Sequence, residues 1–421
     1  MFTMFGEDTE VEILEVAKPI TDHIAKKIHA YGEDVDPFFI GDLGDIIKKH
    51  KSWKQYFPRI EPFYAVKCND LKPVIKLMAD IGLSFDCASQ IEIEKVLEHG
   101  VDPSRIIFAN SCKQASFIRY AANKGVSMMT FDNEEELIKF KNVYPNARLV
   151  LRICPPKNPG VKYYLGKKFG CQSSKSRHLL EVAKKLGLNV IGVSFHVGSE
   201  CVAVGAFEDA IRLARGVFDE GIDLGFKMHL LDIGGGMPGH DMPNFSFEKM
   251  ADGINRSLDK YFPDVRIIAE PGRYFVASAF TVATNIIGKR IVEGDELDEI
   301  TGVTSSEPVF MYYVNDGIYG SFFSEFLDPG CFVPLCVEES DPNLLHKSII
   351  WGPTCDSLDL IIQDYKLPEL RVGEWIYFKN MGAYTFPNAC HFNNMQPIKH
   401  NFMCEKKLWE EFYNLNNKVD N

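Results

Sequence analysis

The chain has 421 residues, more than one compact core usually contains, so we expect two domains. Its 58 acidic and 46 basic side chains give a formal net charge of −12, which argues against nucleic acid or an anionic membrane as the main partner. Eleven scattered cysteines without CxxC spacing, an acidic N-terminus and the lack of a bilayer-length apolar run favour a cytoplasmic protein with free thiols and no zinc site.

The segment before residue 60 contains a strand-like stretch, Val11–Leu14, an apolar run at 38–40 and a helical pattern at 43–50. We interpret the apolar run and the helix as the lead-in to the domain that follows. Val11–Leu14 is expected to join the C-terminal domain, because chain ends often meet in space.

Residues 60–275 alternate short β-branched or aromatic runs with longer stretches of helical period, which is typical of repeated βα units. Eight parallel strands with crossover helices close into a barrel. The pattern therefore predicts a (β/α)8 barrel of the TIM type over residues 39–275. The predicted strands are 63–67, 83–88, 106–110, 127–131, 149–153, 190–197, 229–233 and 267–270, and the predicted helices are 91–99, 115–123, 134–141, 179–186, 206–218 and 247–261.

After residue 274 the sequence changes to alternating runs with few helix signals. This texture predicts a separate all-β domain made of residues 276–421 together with 1–38. Two acidic stretches, 293–307 and 338–346, are predicted to be mobile loops. The predicted strands of this domain are 277–287, 309–314, 348–352, 375–378 and 382–386.

Chemically reactive or charged residues stand at nearly every predicted C-terminal strand end of the barrel, where barrels of this type carry their catalytic groups. Lys67 follows Phe63 and Ala65 at period two, so we expect its amine on the barrel-lining face, where partial desolvation lowers a lysine pKa toward reactivity. Taken alone, such a lysine is more often simply solvated. The residues at these predicted strand ends are Lys67, Asp86, Asn110, Arg152, His196, Gly234, Gly235, Gly236 and Glu270.

The last two strand ends predict a site for a phosphorylated aromatic cofactor. The glycine run 234–236 and Arg273 offer backbone N–H groups and a planar donor fork to phosphate, although a tight turn and a structural salt bridge are the simpler alternatives. Glu270 is suited to keep a pyridine nitrogen protonated, which makes the ring an electron sink. His196 is a candidate for stacking on that ring and Ser199 for binding phosphate, whereas a lone barrel histidine is more often a core residue. Together these groups indicate pyridoxal 5'-phosphate.

The β domain supplies a second group of candidates. Cys355 is a plausible proton donor, and Asp356 lies beside it in a loop with fixed backbone. With Asp328, Asp356 suits a distal ammonium group, while each aspartate taken singly is more often solvated or turn-capping. Tyr384 offers a hydroxyl to phosphate, or is otherwise a core aromatic residue.

Long motifs then identify a family: over nearly its whole length the chain resembles the eukaryotic ornithine decarboxylases, pyridoxal-phosphate enzymes of the alanine-racemase-like fold (fold type III). The resemblance rests on seven segments in order. They are PFYAVKCND (62–70), FDCAS (85–89), VSFHVGS (193–199), LDIGGG (231–236), AEPGRY (269–274), YVNDG (313–317) and WGPTCD (351–356).

The resemblance implies roles for individual residues. Lys67 would be the Schiff-base lysine, Glu270 the partner of the pyridine nitrogen, and His196 the residue stacked on the ring. Asp86, Glu92 and Arg152 would surround the lysine and the cofactor face, and Tyr319 and Phe392 would line the site. Phosphate would be bound by Ser199, Gly234, Gly235, Gly236, Arg273 and Tyr384, and Gly272 would be a further cofactor-binding residue.

The resemblance also implies a head-to-tail homodimer with shared active sites. Cys355 and Asp356 would come from the partner subunit, and Asp328 from the subunit that carries Lys67. Lys168 and Asp359 match positions that pair across that interface.

Two departures from the family pattern stand out. Glu200 follows Ser199 where the family usually has glycine, and we expect its side chain to turn away from the phosphate. Residues 154–165 differ from the relatives, so the loop over the entrance to the active site is expected to behave differently.

Residues 113–139, with Arg119, resemble the surface that binds the inhibitory protein antizyme, so antizyme is a candidate partner.

The resemblance implies decarboxylation of L-ornithine to putrescine and CO2, the first step of polyamine synthesis, with Cys355 protonating the α-carbon and Asp356 and Asp328 holding the distal ammonium. One alternative is a decarboxylase of the same fold that prefers lysine or arginine. Another is an inactive decoy for antizyme, which the retained cofactor residues disfavour. A racemase would need a tyrosine base in place of Cys355.

Overall fold

A computed structural model describes residues 10–32, 36–243, 245–293, 307–338 and 344–416. The described residues form two compact units. One is Ile47–Val276, and the other combines the described residues before and after it. Among the described residues, no helix is both long and apolar enough to cross a membrane.

The unit Ile47–Val276 is built on a closed barrel of eight strands. Every neighbouring pair is parallel and the order around the barrel follows the chain, so the predicted (β/α)8 architecture is confirmed. The strands are Ile60–Ala65, Ser84–Cys87, Ile106–Phe108, Met128–Phe131, Arg148–Ile153, Asn189–Phe195, Leu230–Asp232 and Arg266–Ala269.

Helices connect these strands, and three of them begin at a capping side chain. Ser89, Asn133 and Ser246 each accept a hydrogen bond from the backbone N–H three residues later, which satisfies a donor that the first helical turn leaves free. The helices are Leu43–Tyr56, Lys72–Asp80, Gln90–Leu97, Ala115–Asn123, Glu134–Val143, Ser173–Lys185, Val204–Asp223, Phe247–Tyr261 and Arg273–Val276.

The barrel interior is a packed layer rather than a pore. Seven of the eight strands each contribute one side chain that is no more than 2% exposed. Along the first strand the predicted alternation holds at Phe63, which joins this layer, and at Tyr64, which makes edge-to-face contacts with Phe85 and Phe275. The predicted extension of the strand to Lys67 is wrong, because the strand ends at Ala65 and a 3-10 turn, Val66–Cys68, follows. The layer consists of Phe63, Ile107, Met128, Val150, Ile191, Leu230 and Ile268.

The second unit contains a nine-stranded sheet. Val11–Leu14 pairs in parallel with Lys399–Glu405, so its predicted place in this sheet is confirmed. The interpretation of 38–40 as part of the barrel lead-in is wrong, because Phe38–Asp42 pairs with Phe280–Val292 and Lys399–Glu405 in this sheet. The remaining strands are Val309–Val314, Leu335–Cys336, Leu345–Trp351, Leu360–Pro368 and Trp375–Phe378, and the helices of the unit are Ile20–Tyr31, Phe323–Leu327 and Lys406–Asn416.

The other β-domain predictions have mixed outcomes. The predicted strand 382–386 is wrong: the chain turns there and enters a short 3-10 helix, Phe386–Asn388. Residues 345 and 346, predicted to lie in a loop, are instead the first two residues of the strand Leu345–Trp351. Most of the acidic stretches, at 294–306 and 339–343, lies outside the described residues.

A truncation in the barrel layer should measure how much the fold depends on it. Ile107→Ala removes a fully buried side chain and is expected to lower the free energy of unfolding by about 2–5 kcal/mol, in denaturant or thermal melts. Ile91→Ala is the matched control, because Ile91 is 62% exposed in the same unit and should change stability by less than about 0.5 kcal/mol. Equal effects of the two substitutions would contradict the assignment of Ile107 to the core.

Candidate active site

Lys67 lies in a single 3-10 turn, Val66–Cys68, directly after the first barrel strand. The turn is held in place because Tyr64 donates its hydroxyl proton to the carbonyl of Asn69 at 2.8 Å. The Lys67 amine forms an ion pair with Asp86, whose side chain is fully buried at the end of the second strand. The structure therefore brings together the two charged residues that the sequence placed at neighbouring strand ends.

A second carboxylate supports this corner of the barrel. Glu92 lies in the first turn of helix Gln90–Leu97 and accepts a hydrogen bond from the backbone N–H of Ala88 at 2.5 Å. Burial raises the pKa of Glu92. Since Ser89 caps the same helix, the backbone that follows Asp86 is fixed from two sides.

Glu270 lies beside a second buried carboxyl group, that of Asp232. The two groups are within hydrogen-bonding reach of each other, and Asp232 also accepts the N–H of Gly234 at 2.8 Å. Burial raises the pKa of Asp232 to about 7, and burial together with the charge of Asp232 raises the pKa of Glu270. The pair therefore retains a proton near neutral pH.

His196 is a neutral imidazole at the end of the sixth barrel strand. Burial, together with the positive charges of Arg152 and Lys67, lowers its pKa to about 3. Its Nδ1 accepts the backbone N–H of Gly198 at 3.0 Å, so the ring proton is on Nε2. The guanidinium of Arg152 lies over the ring of Phe169, 5.3 Å from its centre.

The glycine run 234–236 is required by close backbone packing. A Cβ at Gly235 would lie 2.4 Å from the carbonyl oxygen of Glu270, and one at Gly236 would lie 2.0 Å from that of Gly198. Gly234 and Gly236 also have positive φ angles, of 65° and 109°, which disfavour any other residue. At Gly272 an added Cβ would lie 2.8 Å from that of Cys68, so the eighth strand end packs directly on the lysine turn.

Arg273 lies where the sequence predicted a phosphate site, but it has an additional acidic partner. Its Nε donates to the Ser199 hydroxyl at 3.4 Å, and its Nη1 lies 3.4 Å from Oε1 of Glu200. The expectation that Glu200 turns away is therefore wrong. The physical reason is that two cations attract its carboxylate, since Lys162 Nζ lies 3.3 Å from Oε2.

The loop at 154–165 is tied to the barrel by a small sheet. Val161–Tyr163 pairs antiparallel with Ser199–Cys201, and the Cys154 thiol lies 3.1 Å from the hydroxyl of Tyr164. That hydrogen bond and burial raise the pKa of Tyr164 to about 12. The loop is therefore held by its pairing with Ser199–Cys201 and by the contact between Cys154 and Tyr164.

The surface predicted for antizyme is only partly a surface. Arg119 is exposed, but the side chain of Lys113 is fully buried, with its Nζ 2.8 Å from a carboxylate oxygen of Glu136. It also donates to the carbonyls of Asn110 and Thr130. Lys113 is therefore a structural residue and not part of a binding face.

The sheet unit contains its own cluster of candidate residues. The hydroxyl of Tyr319 donates a hydrogen bond to Asp356, which lowers the pKa of that carboxyl and raises the pKa of Tyr319 to about 12. The ring of Tyr319 stacks on Phe392, with 4.4 Å between ring centres. Cys355 is exposed next to them, and its backbone N–H donates to Asn393 at 3.1 Å. Asp356 is therefore held ionised beside an aromatic pair.

Asp359 is a buried carboxylate of the sheet unit. It is 1% exposed, and its two oxygens accept hydrogen bonds from the N–H of Ile318 and from both the N–H and the hydroxyl of Thr354. Because its own chain binds both oxygens, Asp359 acts as an internal clamp, and its pairing with Lys168 of the partner subunit stays a prediction.

Two predicted residues of this unit occupy loops of their own. Asp328 ends the helix Phe323–Leu327. Tyr384 has a φ of 58°, unusual for a tyrosine, and its carbonyl accepts hydrogen bonds from Ser324 and Asn388. Strained backbone of this kind is frequent at functional sites.

Comparison with known proteins defines the class. The sequence model described as "Pyridoxal-dependent decarboxylase, pyridoxal binding domain" matches residues 43–277. The chain therefore belongs to the pyridoxal-dependent decarboxylases, whose cofactor is pyridoxal phosphate.

Individual relatives agree with this class. An ornithine decarboxylase of Rattus norvegicus is 47% identical over 410 residues, covering 96% of this chain and 89% of the relative. Antizyme inhibitor 2 of Xenopus laevis is 48% identical over 399 residues, covering 94% of this chain and 87% of the relative. Among solved structures, the arginine decarboxylase of Paramecium bursaria Chlorella virus matches with a TM-score of 0.84 and 35% identity, over 91% of this chain and all of that one.

The residues present fit the family's cofactor. Oε1 of Glu270 is buried and lacks a hydrogen-bond partner within the described ranges, as a site for a protonated ring nitrogen requires. The neutral ring of His196 adds a flat face without repelling that nitrogen. Ser199 and Arg273 supply donors for a phosphate group.

Sequence reasoning missed two residues of this site. Asp232 was quoted only as part of a glycine motif, although its position in the LDIGGG segment, directly before a turn, signals a carboxylate facing the barrel. Lys162 gave no signal, because its partner Glu200 lies 38 residues away and the pairing of their two strands, Val161–Tyr163 and Ser199–Cys201, was not predicted.

The Asp232–Glu270 pair should give a defined pH dependence. A carboxyl pKa raised on folding means that the folded state holds a proton that the unfolded state has lost, so this pair destabilises the cofactor-free protein increasingly as pH rises from about 4 to 7. Asp232→Asn should therefore stabilise the cofactor-free protein relative to wild type by roughly 2–4 kcal/mol at pH 7.5, and by much less at pH 5.

Thermal melts of the two proteins at both pH values measure this difference. Asp252→Asn is the control, because that aspartate is 64% exposed in the same unit. A stability difference for Asp232→Asn that does not change with pH would contradict the shared-proton interpretation.

Proposed function

We propose that this protein decarboxylates L-ornithine to putrescine and CO2, the first step of polyamine synthesis. The observation that carries the proposal is the lysine amine paired with buried Asp86 in the same barrel that holds the unpartnered Oε1 of Glu270. The relative from Rattus norvegicus, aligned over 96% of the chain, supports ornithine as the substrate.

Pyridoxal phosphate, when bound, supplies the electron sink that stabilises the electron pair left as CO2 departs. Glu270 would hold the ring nitrogen of this group and keep it protonated. Lys67 would provide the amine that holds the cofactor and would yield that position to the amine of the substrate. Asp86 orients Lys67, and the neutral ring of His196 would offer one face of the cofactor a flat surface without adding charge. Arg152 and Glu92 complete the surroundings of the lysine.

The phosphate group of the cofactor is bound by hydroxyls, backbone N–H groups and one guanidinium. The side chain of Arg273 is already oriented by Ser199. Charge-assisted hydrogen bonds to a guanidinium are the strongest contacts this set offers. The full set is Ser199, Gly234, Gly235, Gly236, Gly272, Arg273 and Tyr384.

Recognition of the substrate side chain is assigned to the sheet unit. Asp356 and Asp328 bind the distal ammonium of ornithine, and Tyr319 and Phe392 line its path. Asp356 suits this role because the Tyr319 hydroxyl holds it ionised. Cys355, exposed beside Asp356, donates a proton to the α-carbon after CO2 has left.

We also propose a homodimer in which Cys355 and Asp356 serve the site that contains the partner's Lys67.

Antizyme is a candidate partner, supported by the likeness to antizyme inhibitor 2 and by exposed Arg119. An inactive decoy is the second candidate function, and the intact Lys67–Asp86 pair disfavours it. A cytoplasmic location fits the eleven free cysteines.

Substrate preference tests the proposal directly. Because an extra methylene in a shaped site is worth about 1–3 kcal/mol, kcat/KM for ornithine should exceed that for lysine or arginine by at least about tenfold. A higher value for lysine or arginine would assign the protein to the alternative decarboxylases, and a lack of CO2 release from all three would favour the decoy.

A variant at Asp356 tests the ammonium site. Asp356→Asn should lower kcat/KM for ornithine by about a hundredfold, because it removes the charge that faces the ammonium. Asp364→Asn, an aspartate of the same unit that is 61% exposed and pairs with Lys347, is the control and should keep wild-type activity.

Mixing experiments test the shared active site. Lys67→Ala and Cys355→Ala proteins should each be nearly inactive, and Lys67→Ala should also lose the visible absorbance of bound cofactor. Mixed and re-equilibrated, the two should regain up to about a quarter of wild-type activity, since half of the dimers are mixed and each contains one intact site. A Lys67→Ala/Cys355→Ala chain mixed with Lys67→Ala is the control and should regain nothing. Failure of the first mixture to regain activity would contradict sharing.

A further inference from the structure

Glu200 occupies an unusual place for an acidic residue. It lies in the strand Ser199–Cys201 with a side chain only 10% exposed, directly beside residues proposed to bind phosphate. Its Oε1 is 3.4 Å from Nη1 of Arg273, and its Oε2 is 3.3 Å from Nζ of Lys162. One carboxylate thus connects a phosphate-site arginine with the strand Val161–Tyr163.

The backbone at this position would suit glycine better. Glu200 has a φ of 51°, in the left-handed region that an L side chain occupies only at a cost. A carboxylate is nevertheless present and is mostly excluded from water. Strained residues of this kind persist where the surrounding contacts hold them, which here are the two ion pairs.

The position of the carboxylate has a consequence for any anion. A bound phosphate and Glu200 would share the guanidinium of Arg273, and two negative charges a few ångströms apart repel each other most strongly where water is scarce. We propose that Glu200 is an internal counterion of Arg273 that competes with the cofactor's phosphate for this guanidinium and so weakens cofactor binding, with Lys162 drawing the carboxylate away. The inference rests on the proposed function.

Neutralising the carboxylate tests the competition without measuring catalysis. Full-length protein is stripped of cofactor, and the dissociation constant of pyridoxal phosphate is measured by titration of its visible absorbance. Glu200→Gln should bind pyridoxal phosphate about five- to twentyfold more tightly than wild type. Inorganic phosphate should also raise the melting temperature of the stripped variant more than that of the stripped wild type. Glu200→Gly, which also relieves the backbone, should tighten binding in the same way.

A matched control separates this effect from the general loss of a negative charge. Glu181→Gln removes an ion pair of the same 3.4 Å length, to Arg177, on an exposed helix of the same unit, and should leave cofactor affinity unchanged. Equal tightening in Glu181→Gln would overturn the proposal.

The role of Lys162 gives an effect of opposite sign. Lys162→Gln removes the second partner of the carboxylate, so Arg273 should hold Glu200 more firmly and pyridoxal phosphate should bind several-fold more weakly. The double variant Lys162→Gln/Glu200→Gln should bind as tightly as Glu200→Gln alone, because Lys162 acts through the carboxylate.

Two results would overturn the proposal in different ways. Unchanged or weaker cofactor binding in both Glu200→Gln and Glu200→Gly, with normal binding by the wild type, overturns the counterion role and leaves the proposed function intact. A wild type that binds no pyridoxal phosphate overturns the proposed function and this inference together.

Discussion

The chemistry of the barrel depends on how three buried carboxyl groups share protons and positive charge. Asp86 is neutralised by Lys67, which lies directly after the neighbouring strand. Asp232 and Glu270 instead share a hydrogen bond with each other, and burial raises the pKa of both. They must therefore retain a proton or accept one from a ligand. A protonated ring nitrogen supplies such a donor, so the feature that destabilises the cofactor-free barrel also favours cofactor binding.

Backbone packing fixes these groups in place. The glycine run 234–236 lets the seventh strand end approach the carbonyl oxygens of Phe195, Glu270 and Gly198 at distances that any side chain would prevent. Gly272 similarly brings the eighth strand end against Cys68. Such a glycine run suits the approach of a phosphate, and close packing between strand ends is a second physical reason for it. The glycines thus also position Glu270 and the lysine turn.

The barrel was predictable from sequence because buried parallel strands are continuous apolar runs separated by helices of clear period. The helices Ala115–Asn123 and Phe247–Tyr261 even have the predicted bounds. The apolar run at 38–40 was assigned to the wrong unit because its sheet partners are more than 200 residues away in sequence, at Phe280–Val292 and Lys399–Glu405. At 382–386, alternation suggested a strand, but the left-handed backbone of Tyr384 turns the chain.

The candidate site was predictable where its reactive side chains lie at the C-terminal ends of the barrel strands. Lys67, Asp86, His196 and Glu270 were identified in this way, because the carboxyl ends of barrel strands meet at one rim. Pairing between side chains was not predictable by that rule. Glu200 lies between Arg273 and Lys162, and Lys162 comes close to it because the strand Val161–Tyr163 pairs with the strand Ser199–Cys201, which is distant in sequence.

In the sheet unit, too, the positions of candidate site residues depend on a buried carboxylate, that of Asp359. Asp359 accepts hydrogen bonds from the backbone of Ile318, which precedes Tyr319. It also accepts both donors of Thr354, two residues before Asp356. Neither loop can move away easily, because Gly317 and Gly352 approach Asp359 so closely that an added Cβ would lie 2.2 Å from its Oδ1. The positions of the Tyr319 hydroxyl and Asp356 therefore depend on a buried residue, Asp359, whose own N–H also donates to the Asp356 carbonyl at 3.1 Å. If Asp356 binds the distal ammonium of the substrate, Asp359 contributes to substrate selection, because it holds both loops in place and a shift of either loop would move the Asp356 carboxylate.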